Sequence, residues 1–462
     1  MNFPFLRAMN YLRNLPLVGL LLLSCSGAYL ATADKPNVVI LFADDAGYAD
    51  FGFQEHARPD MAPLTPHIDS IASAGARFTQ AYVTGAVCSP SRAGMMTGRY
   101  QERFGHETNL PPGTQTGLPL TETFGVKRLQ DIGYYTGLIG KWHLGYPENF
   151  HPNRRGYAHF YGLLQGSRSY YPYEKPSRDR VIWRNNIPTE ETGYVTDRLG
   201  DAACKFIEEH REDPFYLFVS FTAPHGPLQP RQGRYDYERI KHIEHEDRRH
   251  YAGLVVAMDD NVGKILATLE NHGLSESTIV IFTNDNGGPG GKDSTSNFPL
   301  RGHKGSLYEG GVRVPWAMAW PSVIRPGTVV DTPVITMDIL PTIFDASGEP
   351  IPEDWALDGD SLLPLVGVSP VAFPERTLYW RRHGSKGPIA LQDANWKLLE
   401  RNAPDGEPEL YNLAQDIGEQ HNIAIQHPDV LSRLQAKRAA WETQLVEPLW
   451  GPGSAGYQNN SD

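Results

Sequence analysis

Two apolar runs in the 462-residue chain end in clustered oxygen donors. PNVVILFADDAGYAD closes on Asp44 and Asp45, and STIVIFTNDNGG closes on Asp285 and Asn286. Adjacent carboxylates on a regular strand point to opposite faces, but at a strand end the chain can turn both toward one ion. Acidic strand ends also serve as turns and helix caps, yet two matched ends favour a shared cation. Hard oxygen donors select Ca2+, with Mg2+ second, over zinc, which calls for more His or Cys. In VCSPSRAGMMTGRY, Pro90 suits the first turn of a helix, so Cys88 falls near a helix N-terminus with Arg92 one turn on. Both features favour an anion there, which leaves two readings: a thiol nucleophile with a depressed pKa, or a structural thiol. GLIGKWHLG offers Lys141 and His143, TAPHGP offers His225, and LRGHKGSLYEGGVRVP offers Lys304. Singly these are ordinary loop or surface residues. Together with Arg92 and a metal ion they could neutralise a tetrahedral anion and move protons.

Such a set needs a scaffold that gathers strand ends. DPFYLFVSFTAPHGP is a third apolar run, GDAACKFIEEH is an amphipathic helix, and HYAGLVVAMDDNVGKILATLENHG is a helix with a glycine stop. Strands alternating with helices predict an α/β fold, a mainly parallel sheet flanked by helices, with ligands beyond the carboxyl ends of its strands. From residue 373 the texture changes to short alternating strands in RTLYWRR, GPIALQDANWKLLER and PELYNL, then the helix DVLSRLQAKRAAWETQL. A small C-terminal antiparallel sheet plus helix is expected over 373–448, after a catalytic domain over 34–372 and before a loose tail over 449–462.

The N-terminal segment 1–33 combines Arg7 and Arg13, the run LPLVGLLLL and then small residues, the pattern of a secretory signal. Cys25 in LLSC is a loose lipoprotein box, so export as a periplasmic, outer-membrane lipoprotein or secreted protein is expected, with a lipid anchor on Cys25 as one form. The mature chain then keeps Cys88 and Cys204, for which a disulfide is open, although Cys204 reads as a buried helix side chain. Lys and Arg number 42 against 54 Asp and Glu, a net charge of −12, with no basic run, which argues against nucleic acid as a partner. An anionic substrate must be held by a few local cations against an unfavourable overall field.

Taken together, the first acidic strand end, CSPSRAGMMTGRY, GKWHLG, APHGP, TNDNGG, RGHKGSLYEGGVRVP and the closing ELYNLAQDIGEQHNIA resemble the formylglycine-dependent (type I) sulfatases of the alkaline phosphatase superfamily. The resemblance spans essentially the whole mature chain and implies an alkaline-phosphatase-like sheet. It implies that Cys88 is oxidised by a formylglycine-generating maturation enzyme to an aldehyde, hydrated to a gem-diol. One hydroxyl, polarised by Ca2+ and Arg92, attacks sulfur in line. Deprotonation of the other, assigned to the His143 position, releases sulfate. By the same implication Asp44, Asp45, Asp285, Asn286 and the residue at 88 bind Ca2+, His225 protonates the leaving oxygen, and Lys141 and Lys304 hold sulfate oxygens, with Lys304 the alternative proton donor.

The expected substrate is a sulfated saccharide. The loop HPNRRGYAHFYGLLQGSRSYYPYE concentrates arginines and aromatic rings suited to sugar faces and neighbouring anions, so Arg168 and Tyr170, with His106 and Arg382, are the candidate substrate-binding residues. Rival readings are a phosphodiesterase or phosphonate monoester hydrolase on the same scaffold, a noncatalytic lipoprotein that binds sulfated glycans, and an enzyme whose Cys88 stays a thiol.

Overall fold

In the computed structural model, residues 35–457 are described except 176, 291–293, 353, 368–371, 402–405 and 456. The leader with Cys25, and residues 458–462 of the expected tail, lie outside the described residues. The strands are β1 (Asn37–Ala43), β2 (Ala76–Phe78), β3 (Ala81–Tyr82), β4 (Tyr135–Lys141), β5 (His159–Leu163), β6 (Trp183–Arg184), β7 (Ile187–Pro188), β8 (Phe215–Ser220), β9 (Thr278–Asn284), β10 (Trp316–Ala319), β11 (Thr328–Val330), β12 (Val334–Ile335), β13 (Thr377–Arg381), β14 (Ile389–Asp393), β15 (Trp396–Glu400) and β16 (Glu409–Asn412). The helices are α1 (Pro66–Ala74), α2 (Cys88–Thr97), α3 (Gly125–Asp131), α4 (Val195–Glu209), α5 (Arg234–Ile240), α6 (Glu246–Asn271), α7 (Glu309–Val312), α8 (Ile339–Ala346) and α9 (Pro428–Glu442).

The main sheet has ten strands in the order β11-β2-β10-β9-β1-β8-β4-β5-β6-β7. Its centre is parallel, β9, β1, β8, β4 and β5; β10 runs antiparallel between β9 and β2, β11 pairs parallel with β2, and β6 and β7 close the other margin antiparallel. β1 reads as a continuous apolar run because both faces are covered. Val39, Leu41 and Ala43 join the core under α1, α4 and α6, whereas Val38, Ile40 and Phe42 join the core under α2, α3 and α8. The expected mainly parallel α/β sheet is therefore what forms.

Register decides where the site lies. Ala43 pairs with Asn284, so the next residues, Asp44 and Asp285, emerge side by side. Ser220 of β8 stands opposite Phe42 on one side and Gly140 on the other, which brings Lys141 to the same edge. Gly140 has φ of 114° and a Cβ there would fall 1.8 Å from Ser220 O, so only glycine allows this approach.

The C-terminal strands form a separate antiparallel sheet, β13-β14-β15-β16, with α9 against β14 and β15. GPIALQDANWKLLER supplies two of them, β14 and β15, turned at Ala394, whose φ is 52°. A fully buried lysine on β15, Lys397, pairs with Glu309 of α7 at 2.7 Å and with Glu419 at 3.1 Å, joining that sheet to the loop that carries Lys304. In the segment expected as a tail, Leu449 N donates to Gly105 O at 2.9 Å and the Trp450 indole donates to Thr108 O at 3.1 Å, so its first residues are docked. Cys88 and Cys204 are both free, because Cys204 packs on α4 against the opposite core and no disulfide forms. Among the described residues no helix is long and apolar enough to cross a membrane.

Candidate active site

The two acidic strand ends interlock. Asp45 N donates to Asp285 Oδ1 at 3.2 Å, Ala46 N to Asn284 Oδ1 at 3.3 Å, and Asn284 Nδ2 returns a bond to Ala46 O at 2.8 Å. Asp45 adopts φ of 64°, a conformation that a non-glycine residue holds only under constraint and that turns its carboxylate beside that of Asp44. Burial and the neighbouring Asp285 push the Asp44 carboxyl up to about 6. Burial also acts on Asp285, but Arg92, Lys141 and Lys304 outweigh it and hold that carboxyl well below its usual range.

Cations from three other elements fill in around these acids. Arg92, fully buried on α2, donates through Nε and Nη2 to Asp285 at 3.2 and 3.0 Å and through Nη1 to Ser220 Oγ at 2.6 Å. Lys141 Nζ lies 2.7 Å from Asp44 Oδ2 and 3.8 Å from Asp285 Oδ2. Lys304 Nζ lies 2.6 Å from Asp45 and donates to Cys88 Sγ at 3.2 Å. Cys88 opens α2 behind Val87, and the next backbone N–H, that of Ser89, donates to Asn109 Oδ1 at 2.9 Å. The thiol is not activated: burial, then Asp285, push it up to about 12 against the pull of Lys141 and Lys304. That corrects the depressed-pKa reading, which counted the helix end and Arg92 but not Asp285, Asp44 or the loss of water.

Ligand atoms of Asp44, Asp45, Cys88 and His225 lie within 4.8 Å of one another. Asn286 Nδ2 donates to Asp45 Oδ1 at 2.7 Å, while its Oδ1 is buried with no hydrogen-bond partner. An orphaned acceptor facing several carboxylates suits a hard divalent cation. His225, half-buried after β8, has Nδ1 2.6 Å from Gly226 O and Nε2 3.4 Å from Asp45. A carbonyl can only accept, so Nδ1 carries a proton and Nε2 gains one only in the imidazolium form. His143, at φ of 61°, lies against Gly166, where a Cβ would meet its ring at 2.4 Å. Burial, reinforced by Lys141, Arg92 and Lys304, keeps its imidazole far below the usual pKa and therefore neutral at pH 7.

These groups open into a cavity of about 310 Å³ lined by Cys88, His143, His225 and Lys304, with Asn109, Tyr146, Gln165 and Arg180 around them. A larger cleft of about 370 Å³ holds Tyr100, Tyr379 and Trp441 but none of the groups just described.

The candidate substrate residues fall elsewhere. His106 is fully buried with Nε2 2.6 Å from Ser89 Oγ, and the Trp450 ring packs on it. Arg168 is buried in a two-bond pair with Glu191 at 3.1 and 2.7 Å. Tyr170 OH lies 2.7 Å from Thr222 O and 2.8 Å from His225 O, bracing the turn that carries His225. These three face inward, so they support the site instead of lining it. Arg382 lies beside Gly305, where an added Cβ would be 3.4 Å from its Nη1, and among the described residues it has no carboxylate partner. Sequence reasoning missed Asn109, Gln165 and Arg180, which have no motif of their own.

Residues 36–349 match the family described as Sulfatase, and residues 303–443 match the one described as N-sulphoglucosamine sulphohydrolase, C-terminal. The chain is similar to the uncharacterized sulfatase YdeN of Escherichia coli (strain K12), 31% identical over 397 residues that cover 76% of this chain and 69% of that one. It is similar to arylsulfatase A of Homo sapiens, 31% identical over 471 residues, 90% of this chain and 89% of that one. Among solved structures, the crystal structure of Ps i-CgsB in complex with k-i-k-neocarrahexaose superposes with a TM-score of 0.84 at 33% identity, over 90% of this chain and 95% of that one. With its parallel sheet, paired acidic strand ends and flanking cations, the chain belongs to the sulfatase family of the alkaline phosphatase-like superfamily and is a sulfuric ester hydrolase.

Proposed function

We propose that this sulfatase removes sulfate from a saccharide through a formylglycine made from Cys88 and a bound Ca2+. The observation that carries the reading is the convergence of Asp44, Asp45, His225 and Lys304 on the side chain at 88, with Asn286 bonded to Asp45, beside a cavity that Cys88, His225 and Lys304 line. Asp44, Asp45, Asp285 and Asn286 would hold the ion together with residue 88, and the ion would polarise the nucleophile and a sulfate oxygen. Hydrated formylglycine would supply one hydroxyl to attack sulfur and a second whose loss of a proton frees sulfate. Neutral His143, with Nδ1 lacking a partner, is suited to take that proton. His225, protonated on Nε2, would give one to the departing oxygen, while Lys141 and Lys304 stabilise the growing charge and Arg92 fixes Asp285. Catalytic roles for these residues, and a sugar-binding role for Arg382, are part of the proposal.

The saccharide assignment is supported by the k-i-k-neocarrahexaose complex of the similar Ps i-CgsB and by the amino-sugar sulfohydrolase family matched at the C-terminus. Export through the leader 1–33, with Cys25 as the lipid site in an anchored form, belongs to the same reading. So do a catalytic domain over 34–372, a C-terminal subdomain over 373–448 and a tail from 449.

The test is a panel of sulfated mono- and oligosaccharides and matched aryl sulfates and phosphate diesters, given to protein whose residue 88 is shown by mass spectrometry to be formylglycine. Sulfate release from saccharides is expected. Faster phosphate diester turnover, or tight glycan binding with no release, overturns the reading.

A further inference from the structure

The inner cations are already matched by carboxylates: Lys141 with Asp44, Lys304 with Asp45, Arg92 with Asp285. Arg180 lines the same cavity but does not belong to that network. Its Nε donates to Gln165 Oε1 at 2.6 Å, which fixes the plane of the guanidinium. Among the described residues, its two Nη groups have no hydrogen-bond partner and no carboxylate in ion-pair range. An arginine left with its forked edge free at the wall of a cavity presents the geometry that carboxylate and sulfate oxygens accept in pairs.

The backbone around it is clamped. Gln165 N donates to Asp179 O at 2.9 Å, Arg168 Nη1 donates to Arg180 O at 2.8 Å, and Arg168 is itself held by Glu191. Arg178 Nη1 donates to Tyr146 O at 3.3 Å on the neighbouring wall. The segment is thus preorganised, which reduces the ordering cost of binding through Arg180. Gln165 cannot neutralise the guanidinium, and a net charge of −12 makes an uncompensated cation at this place a local exception.

We propose that Arg180 is a specificity-determining residue that binds a second anionic group on the sulfated saccharide, so the substrate carries a further sulfate or a carboxylate near the ester that is cleaved. The inference rests on the sulfatase reading above. The shared chemistry is a planar or tetrahedral oxyanion accepting two N–H bonds, and the two sources are separable by experiment.

The matured enzyme is compared on three matched saccharides: one with a single sulfate, one with a second sulfate on the same or the adjoining ring, and one with a uronate carboxylate in its place. The readout is the ratio of kcat/KM for each dianion to that for the monosulfate, which cancels differences in active fraction between preparations. Wild type is expected to prefer one dianion, which identifies the source. Arg180→Ala should reduce that ratio roughly ten- to a hundredfold, mainly through KM, and Arg180→Lys should keep part of it, as expected for loss of a charge-assisted bidentate contact. A wild-type enzyme with no preference for either dianion overturns the inference while leaving the sulfatase reading intact. A ratio unchanged in Arg180→Ala does the same. Absence of sulfate release from every ester by protein carrying formylglycine at 88 overturns both.

Discussion

Lys304 Nζ stands 3.2 Å from Cys88 Sγ and 2.6 Å from the Asp45 carboxylate, so one ammonium touches both the proposed nucleophile position and an acid of the first strand end. Lys304→Ala should therefore lower kcat by about a hundredfold or more, as loss of one preorganised donor to developing charge does. Cys88→Ala and Cys88→Ser should each abolish steady-state turnover of an aryl sulfate. Steady turnover by the alanine variant would sink the covalent scheme.

The unpartnered Asn286 Oδ1 predicts metal-dependent stability. Added Ca2+ should raise the melting temperature of chelator-treated protein, with a gain of about 2.7 kcal/mol at a hundred times its dissociation constant. Asn286→Ala should require more Ca2+ for the same shift. Mg2+ should act more weakly, because it demands tighter octahedral geometry. Equal shifts with both ions, or none, would count against the calcium assignment.

His106 titrates against the fold. Burial depresses its imidazole from 6.5 to about 3. The unfolded chain binds the extra proton first, so the contribution of neutral His106 is complete above about pH 6.5 and is lost as pH falls toward about 3. His106→Gln should narrow the drop in melting temperature between about pH 7.5 and about pH 4.5 relative to wild type. An identical drop in both proteins would refute this.

Lys397 is fully buried between Glu309 and Glu419. Lys397→Ala leaves the buried Glu419 without its counter-charge and Glu309 with Arg313 alone, and should cost about 3–5 kcal/mol of stability. Denaturant titration reads this directly, and a loss under about 1 kcal/mol would mean that water or proton uptake replaces the lysine.

The gathering of the acidic strand ends at one edge of the sheet was legible in the chain. Asp44, Asp45, Asp285 and Asn286 each follow an apolar run long enough to be a strand, and strand ends in a parallel sheet meet at one side. His106, Arg168 and Tyr170 were read for chemistry they do not face, since residue type and proximity to a motif carry no information about which way a loop side chain points. Their partners, Ser89, Glu191 and Thr222, are 17, 23 and 52 residues away. The pairing of Lys397 with Glu309 spans 88 residues and joins a small antiparallel sheet to a four-residue helix, so no local pattern announces it. The Cys88 pKa was misjudged for a related reason: a helix end and one arginine are visible locally, whereas the burial and acids that reverse their effect arrive from distant strands.

Cys88 is 2% exposed in the folded chain, beneath Lys304 and against Asp44. Its neighbours enter from positions 44, 141, 225, 285 and 304, so the chamber closes only after β9 and the turn that follows it have been added to the sheet. Under the proposed conversion to formylglycine, a maturation enzyme would need CSPSR accessible, which this burial denies it in the folded chain. The proposed chemistry on this side chain would then be a matter of timing: a molecule that folded first would keep its thiol.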